Sequence, residues 1–173
     1  MNIFSHLVDK DLFLEVTRHL LAKRLLNSRS ASIEAEKSVI SKIKNSFGTQ
    51  ATGKLEGMLT DLEMAEETDR SFQEFLEKTE KKPQLVDLSV RVLTSAHWPS
   101  YSSFNVPLPK ELALCIETFK MFYSNSTQHR SLSWALMHGN ITVRSRFFGG
   151  NERSYDLVLS VYQTSILMLF NER

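Results

Sequence analysis

The stretch Val86-Asp-Leu-Ser-Val-Arg-Val-Leu-Thr94 decides how this chain divides, because apolar and polar residues alternate along it with a period of two. An apolar side chain at every second position is typical of a strand with one covered face. Upstream, as far as Pro83, apolar residues recur every three or four positions, as in helices. The change of period predicts an α+β protein, with a helical bundle at residues 1–83 and a small α/β domain at residues 84–173.

The upstream region contains three runs with helical spacing. In the first, residues 3–26, apolar side chains recur every four positions and predict a buried helix. The hydroxyl of Ser32 can accept a hydrogen bond from a free backbone N–H at the start of a second helix. Gly48 would end that helix. A third run, residues 55–76, predicts one or two further helices. The apolar residues at every fourth position of the first helix are Phe4, Val8, Leu12, Val16 and Leu20, and the stripe is widened by Leu7, Phe13, Leu21 and Leu25.

The downstream region mixes both periods. Residues 109–123 carry the apolar spacing of a helix, and residues 163–170 resume it. Gly139-Asn140 and Gly149-Gly150-Asn151 predict turns between alternating runs, and the first is a two-residue hairpin turn. Those runs, which predict a mainly antiparallel sheet, are residues 131–136, 141–146 and 155–161.

The overall composition bounds the class of protein. The chain has 173 residues, of which 42% are hydrophobic and 24% charged, so it can bury a core. Its single cysteine, Cys115, excludes an internal disulfide and a cysteine-based zinc cage. No apolar run approaches the roughly 20 residues of a membrane-spanning helix. These features predict a soluble protein of the cytoplasm or nucleus, with no membrane partner and no cofactor.

The formal net charge of +1 conceals two blocks of opposite sign. Residues 18–54 have a net charge of +6, whereas residues 55–80 have a net charge of −7. The basic block suits either nucleic-acid phosphates or an acidic segment of a protein partner, and a merely solvated face is the third possibility. Few aromatic residues stand among the basic ones, so nucleic acid is the weaker option. The basic candidates are Lys23, Arg24, Arg29, Lys37, Lys42 and Lys44.

Patterns that carry catalysis or metal binding are missing from the sequence. Cys115 stands among Leu114, Ile116 and Phe119, which favours a buried thiol over a nucleophile. None of the five histidines has the spacing of a metal ligand pair, and Gly149-Gly150 lacks the context of a phosphate-binding loop. We therefore predict no catalytic residue and no metal ligand, and an enzyme that uses Cys115 is the least favoured hypothesis.

Over nearly its whole length the chain resembles the C-terminal part of a cullin, because several short motifs occur in the same order along the sequence. The resemblance is greatest to the cullin-1 type. It implies a non-catalytic scaffold of a ubiquitin ligase, which holds a RING-box protein that recruits a charged ubiquitin-conjugating enzyme for ubiquitin-dependent protein catabolism. The motifs are Leu21-Ala-Lys-Arg-Leu-Leu26, Ser30-Ala-Ser32, Lys54-Leu-Glu-Gly-Met58, Trp98-Pro99, Leu108-Pro109, Phe119-Lys-Met-Phe-Tyr123 and Leu132-Ser-Trp134.

The same resemblance assigns roles to the two regions. The first would be part of a four-helix bundle whose basic residues meet an acidic tail of the conjugating enzyme. The sheet of the second would accept the N-terminal strand of the RING-box protein, and zinc is expected only in that RING partner. For each sheet residue, packing against the helix at residues 109–123 is the alternative. The residues of this partner-binding sheet would be Val90, Val92, Leu132, Trp134, Leu136, Ile141, Val143, Leu157 and Leu159.

The resemblance leaves out two parts of a cullin, the N-terminal repeats and the C-terminal winged-helix region that bears the neddylation lysine. We therefore expect neither adaptor recruitment nor neddylation from these residues. An excised fragment and a truncated cullin-like product both remain open. Either would bind a RING-box protein without delivering substrate.

Overall fold

The structure, a computed structural model, describes residues 8–79, 86–101, 106–146 and 154–172. The chain forms two compact units, and the mixed helical and antiparallel content confirms the α+β class. The first unit comprises Met1–Glu80 together with Ser89–Ser100, and the second comprises Lys81–Leu88 together with Tyr101–Arg173. The predicted boundary near Pro83 lies outside the described residues, and the segment from Ser89 to Ser100 belongs to the first unit.

The first unit contains three helices, α1 (Lys10–Leu26), α2 (Ile33–Phe47) and α3 (Thr49–Lys78). Ser32 caps α2 as predicted, because its side chain accepts a hydrogen bond from the N–H of Ala35 at 3.1 Å. Gly48 ends α2 with a φ of 86°, a left-handed conformation that glycine adopts without strain. The chain can therefore turn sharply there and start α3 at the next residue.

The core of the first unit forms mainly between the C-terminal half of α1, α2 and α3. It consists of Leu21, Ala22, Leu25, Ile40, Leu55, Met58, Leu59 and Trp98. The prediction that the apolar stripe of the first helix is buried is wrong for the described residues that recur at every fourth position. Those residues, Val8, Leu12, Val16 and Leu20, are 48–101% exposed. The prediction is confirmed for Leu21 and Leu25, which widen the stripe and are buried together with Ala22.

Residues 86–94 form an irregular segment, so the strand predicted there is wrong. Two carboxylates of α3 accept backbone hydrogen bonds that a neighbouring strand would otherwise take. Asp69 Oδ1 accepts from the N–H of Val90 at 2.8 Å, and Asp61 Oδ2 accepts from the N–H of Thr94 at 2.8 Å. These side chains thus satisfy two backbone donors of the segment and hold it against α3 without a sheet.

The second unit contains α4 (Lys110–Ser126), β1 (Asn140–Arg146), β2 (Ser154–Ser160) and α5 (Val161–Met168). The strands pair antiparallel, with Val143 opposite Leu157. The prediction that residues 131–136 and 141–146 form a hairpin is wrong, because residues 131–135 are irregular and Leu136–His138 form a 3-10 turn. Both predicted helices are confirmed. The turn predicted at residues 149–151 lies outside the described residues.

The core of the second unit is built around Phe119 of α4. Phe119 is fully buried, its ring stacks on Tyr123, and it meets the ring of Trp134 edge to face with centroids 5.9 Å apart. Cys115, one turn earlier on α4, is buried, and burial raises the pKa of its thiol. The prediction of a buried cysteine is therefore confirmed, and a neutral thiol is a poor nucleophile.

Two glycines of α3 are expected to respond in opposite directions to replacement by alanine. A Cβ at Gly57 would lie 2.5 Å from the Cε1 and Nδ1 atoms of the His97 ring, whereas a Cβ at Gly53 meets nothing within 4 Å. Alanine is the better helix former, so Gly53→Ala should raise the free energy of unfolding by up to about 1 kcal/mol. Gly57→Ala should lower it by about 1–2 kcal/mol, because the His97 ring must move.

Urea unfolding of the two alanine variants measures both changes on one helix. Gly53→Ala is the matched control, since it makes the same chemical change in open space. Equal stabilisation by both substitutions would contradict the close approach of His97 to α3.

Candidate partner-binding site

The nine residues predicted to line a partner-binding sheet fall into three groups. Val90 and Val92 lie in the irregular segment of the first unit and in no sheet. The residues that do lie in strands of the second unit are Ile141, Val143, Leu157 and Leu159. The remaining residues, which precede β1 and lie in neither of its strands, are Leu132, Trp134 and Leu136.

The two strands of the second unit form a hairpin with distinct faces. The cross-strand pairs Ile141–Leu159 and Val143–Leu157 are half-buried and share one face. The other face is exposed, and there Arg144 forms a bidentate ion pair with Asp156, with N···O distances of 2.8 and 3.2 Å. Within the described residues β1 has a single strand neighbour, β2. The hairpin therefore supplies an apolar face and a register but little sheet by itself.

The segment before β1, residues 131–135, keeps the alternation that the sequence predicted. Leu132 and Trp134 are half-buried, whereas Ser131, Ser133 and Ala135 are exposed. Within the described part of the chain, the five backbone N–H groups of this segment donate to no acceptor. The segment thus offers a row of free donors beside apolar side chains, as the edge of a sheet does.

Two buried side-chain atoms near this segment also have no hydrogen-bond partner among the described residues, Trp134 Nε1 and His138 Nε2. The His138 ring packs edge-on against Tyr101, with centroids 4.1 Å apart. Burial lowers the pKa of His138, so its imidazole is neutral near pH 7. No sequence pattern pointed to these two atoms, because whether a buried atom finds a hydrogen-bond partner depends on the residues that surround it in the folded protein.

The six predicted basic residues lie in the first unit, and three of them are paired. Arg24 makes a bidentate pair with the buried carboxylate of Glu36, with both N···O distances 2.8 Å. These hydrogen bonds lower the pKa of Glu36 against the opposing effect of burial. Lys37 and Lys44 of α2 bind glutamates of α3 at 2.6 and 2.9 Å. Lys23, Arg29 and Lys42 form no ion pair with any described residue.

Sequence reasoning missed Asp61, which organises the end of the irregular segment. This carboxylate is 7% exposed and accepts three hydrogen bonds of 2.8 Å, two from Thr94 and one from Trp98 Nε1. Burial alone would raise its pKa, but the hydrogen bonds and the nearby His97 outweigh burial and lower the pKa. The sequence feature that could have identified Asp61 is the position of a carboxylate among the buried residues of α3, because a buried carboxylate needs hydrogen-bond donors.

Neither metal binding nor membrane insertion finds support in the described ranges. They contain no group of three or more His, Cys, Asp or Glu side chains placed to hold a metal ion. None of the helices in those ranges is long and apolar enough to cross a membrane.

Comparison with known proteins connects both units to one family. The family model of the cullin α-solenoid domain matches residues 1–69, and that of the cullin α+β domain matches residues 92–173. Cullin-1 of Oryza sativa subsp. japonica is 39% identical over 171 residues, and cullin-2 of Arabidopsis thaliana is 37% identical over 171 residues. Cullin-3 of Dictyostelium discoideum is 38% identical over 171 residues.

The chain therefore belongs to the cullin family. Each of these three alignments covers 99% of this chain but only 22–23% of the relative. The solenoid match at residues 1–69 corrects the expectation that nothing here corresponds to the cullin N-terminal repeats. The three relatives are differently numbered cullins of nearly equal identity, so the resemblance to the cullin-1 type stays a prediction.

Proposed function

We propose that this chain acts as a scaffold segment of a cullin-based ubiquitin ligase and binds a RING-box protein by strand addition in its second unit. Membership of the family supports the scaffold role, and such a role works by holding partners close together and correctly oriented. The chain itself would supply no catalytic group. The chemistry would belong to the conjugating enzyme that the RING-box protein recruits.

The observation that carries the proposal is the row of free backbone donors at residues 131–135. An added strand gains affinity from main-chain hydrogen bonds and specificity from pockets for alternate side chains. Residues 131–135 supply the backbone donors, and the half-buried side chains of Leu132 and Trp134 supply an apolar surface for the side chains of the added strand. We propose that the RING-box strand pairs along this segment. The apolar face of the β1–β2 hairpin would then extend this apolar surface.

The conjugating enzyme is proposed as a second, electrostatic partner of the first unit. Lys23, Arg29 and Lys42 are the predicted basic residues without an ion pair among the described residues, so they are the cations available to an acidic tail. Arg24, Lys37 and Lys44 are already neutralised by glutamates. The same pairing weakens the alternative of a nucleic-acid-binding module, because only half of the predicted basic residues carry unpaired charge.

The decisive experiment is direct binding of a purified, zinc-loaded RING-box protein to the full 173-residue chain by isothermal titration calorimetry. We expect a 1:1 complex with a Kd of about 1 µM or tighter, the weak end of the range for protein interfaces of standard size. A peptide spanning the N-terminal strand of the RING-box protein should compete, because the proposed contact is made by that strand.

The controls separate this proposal from the alternatives. A chain that is folded by circular dichroism but binds neither the RING-box protein nor the peptide would refute strand addition. Titration with duplex and single-stranded DNA at several salt concentrations tests the nucleic-acid alternative, for which affinity must fall steeply as salt rises.

A further inference from the structure

Trp134 has a buried polar atom that finds no partner among the described residues. Its Nε1 is shielded from solvent and donates to no acceptor, while the ring is held edge-on against Phe119. A buried donor left without an acceptor destabilises the folded state, and native proteins satisfy almost all such groups. Because Nε1 is covered in the free chain, a bound molecule can supply the missing acceptor only if the atoms that cover the edge of the indole move aside on binding.

The other tryptophan of the chain shows the ordinary arrangement of the same group. Trp98 Nε1 is buried in the first unit and donates to Asp61 Oδ2 at 2.8 Å. The two indoles thus differ in one respect that matters here, the presence of an acceptor. Any explanation of Trp134 has to come from its own surroundings.

Those surroundings concentrate unsatisfied groups. Four buried side-chain nitrogens lack a hydrogen-bond partner in the described part of the chain, and two of them, Trp134 Nε1 and His138 Nε2, lie four residues apart. The free N–H groups of residues 131–135 belong to the same stretch. A cluster of unpaired polar groups on one segment is what a sheet edge leaves when a partner strand normally completes it.

We propose that the indole N–H of Trp134 donates a hydrogen bond to a backbone carbonyl of the incoming RING-box strand and so fixes the register of that strand. This inference rests on the proposed function. A backbone carbonyl suits the site because a strand presents one at every residue and brings it into an apolar surrounding without an added charge. A slip of the strand by one residue would direct that carbonyl to the opposite side and leave the indole unpaired.

Nuclear magnetic resonance of the wild-type chain tests the hydrogen bond directly, because its two indole N–H signals can be resolved in a ¹⁵N-labelled sample. On addition of the zinc-loaded RING-box protein, we expect the Trp134 indole proton to shift downfield and its exchange with solvent to slow. The Trp98 signal is the internal control and should keep its position. Complex formation with an unchanged Trp134 signal would overturn the proposal and leave the proposed function standing.

The variant Trp134→Phe keeps an aromatic ring in contact with Phe119 and removes the donor. We expect its affinity for the RING-box protein to fall about tenfold, with the thermal stability of the free chain unchanged or higher, because an unpaired buried donor has been removed. Ser133→Ala, at the exposed neighbouring position, should bind within twofold of wild type.

The outcomes separate the two levels of the argument. Unchanged affinity of Trp134→Phe would refute the role of the indole, whereas failure of the folded wild-type chain to bind the RING-box protein would refute the proposed function itself. If Trp134→Phe unfolds, the wild-type indole spectrum still decides.

Discussion

Asp61→Ala is expected to lower the free energy of unfolding of the first unit by about 2–4 kcal/mol. The substitution leaves three donors without their acceptor, the N–H and hydroxyl of Thr94 and the indole N–H of Trp98. The indole N–H of Trp98 lies in the core where water does not replace the carboxylate, and a buried donor that loses its partner costs about 1–3 kcal/mol. The two donors of Thr94, an exposed residue, can turn to water and add less. The loss should therefore exceed that of an average substitution.

Urea unfolding followed by Trp98 fluorescence, in a Trp134→Phe background that leaves one tryptophan, measures this loss. Asp61→Asn should fall between wild type and alanine, since an amide keeps one acceptor oxygen but loses the charge. Glu67→Ala, at an exposed position on the same helix, is the matched control and should change stability by less than about 0.5 kcal/mol. A loss below 1 kcal/mol for Asp61→Ala would contradict the role assigned to this carboxylate.

Acidity provides an independent check on Asp61. Its pKa lies below the ordinary value of 3.8 because the hydrogen bonds outweigh burial, so the native state binds its proton less readily than the unfolded state. The contribution of Asp61 to stability is therefore complete above pH 3.8 and is lost as the pH falls through the lower, folded-state pKa. The difference in stability between wild type and Asp61→Asn should shrink over that range.

Asp61 also explains why the strand at residues 86–94 was predicted wrongly. Alternating apolar residues indicate an extended segment with one buried face. They do not indicate whether the segment packs in a sheet or against a helix. Here the deciding partners are Asp61 and Asp69, which lie 33 and 21 residues from the backbone groups they bind. Contacts at such separation leave no periodic signal in the sequence.

Helices were predicted well for the opposite reason. The spacing of apolar residues and the cap at Ser32 are local features, and α2, α4 and α5 lie where these features placed them. Periodicity was less reliable for burial in α1, because Leu12 and Val16 follow the helical period of apolar residues and are nevertheless exposed. Periodicity identifies a helix, but the packing of neighbouring elements determines which of its faces is buried.

The candidate site was predicted in the same partial way. The sequence identified Leu132 and Trp134 as apolar members of an alternating run, and their burial follows that alternation. It assigned them to a hairpin, whereas β1 pairs with β2 and leaves residues 131–135 without a strand. The unpaired indole of Trp134 could not have been inferred, since it depends on the surroundings that Phe119 and its neighbours provide.

Phe119→Ala is expected to lower the free energy of unfolding of the second unit by about 3–5 kcal/mol, the usual cost of truncating a fully buried phenylalanine. Phe119 stacks on Tyr123 and meets Trp134 edge to face, and each aromatic pair adds about 0.5–1.5 kcal/mol beyond the area it buries. Removal of the ring also takes away the surface that holds Trp134 in place. We therefore expect binding of the RING-box protein to weaken together with stability.

Hydrogen exchange of the amides in β1 and β2 measures the stability of this unit locally, because strand amides exchange mainly through opening of the structure that contains them. Phe119→Leu keeps most of the buried volume and should cost about 1.5 kcal/mol or less. Leu114→Ala, on the same helix but 57% exposed, is the matched control and should leave exchange nearly unchanged. Similar protection of the strand amides from exchange in Phe119→Ala and Leu114→Ala would contradict a core built on Phe119. Other residues of the unit would then have to hold Trp134 in place.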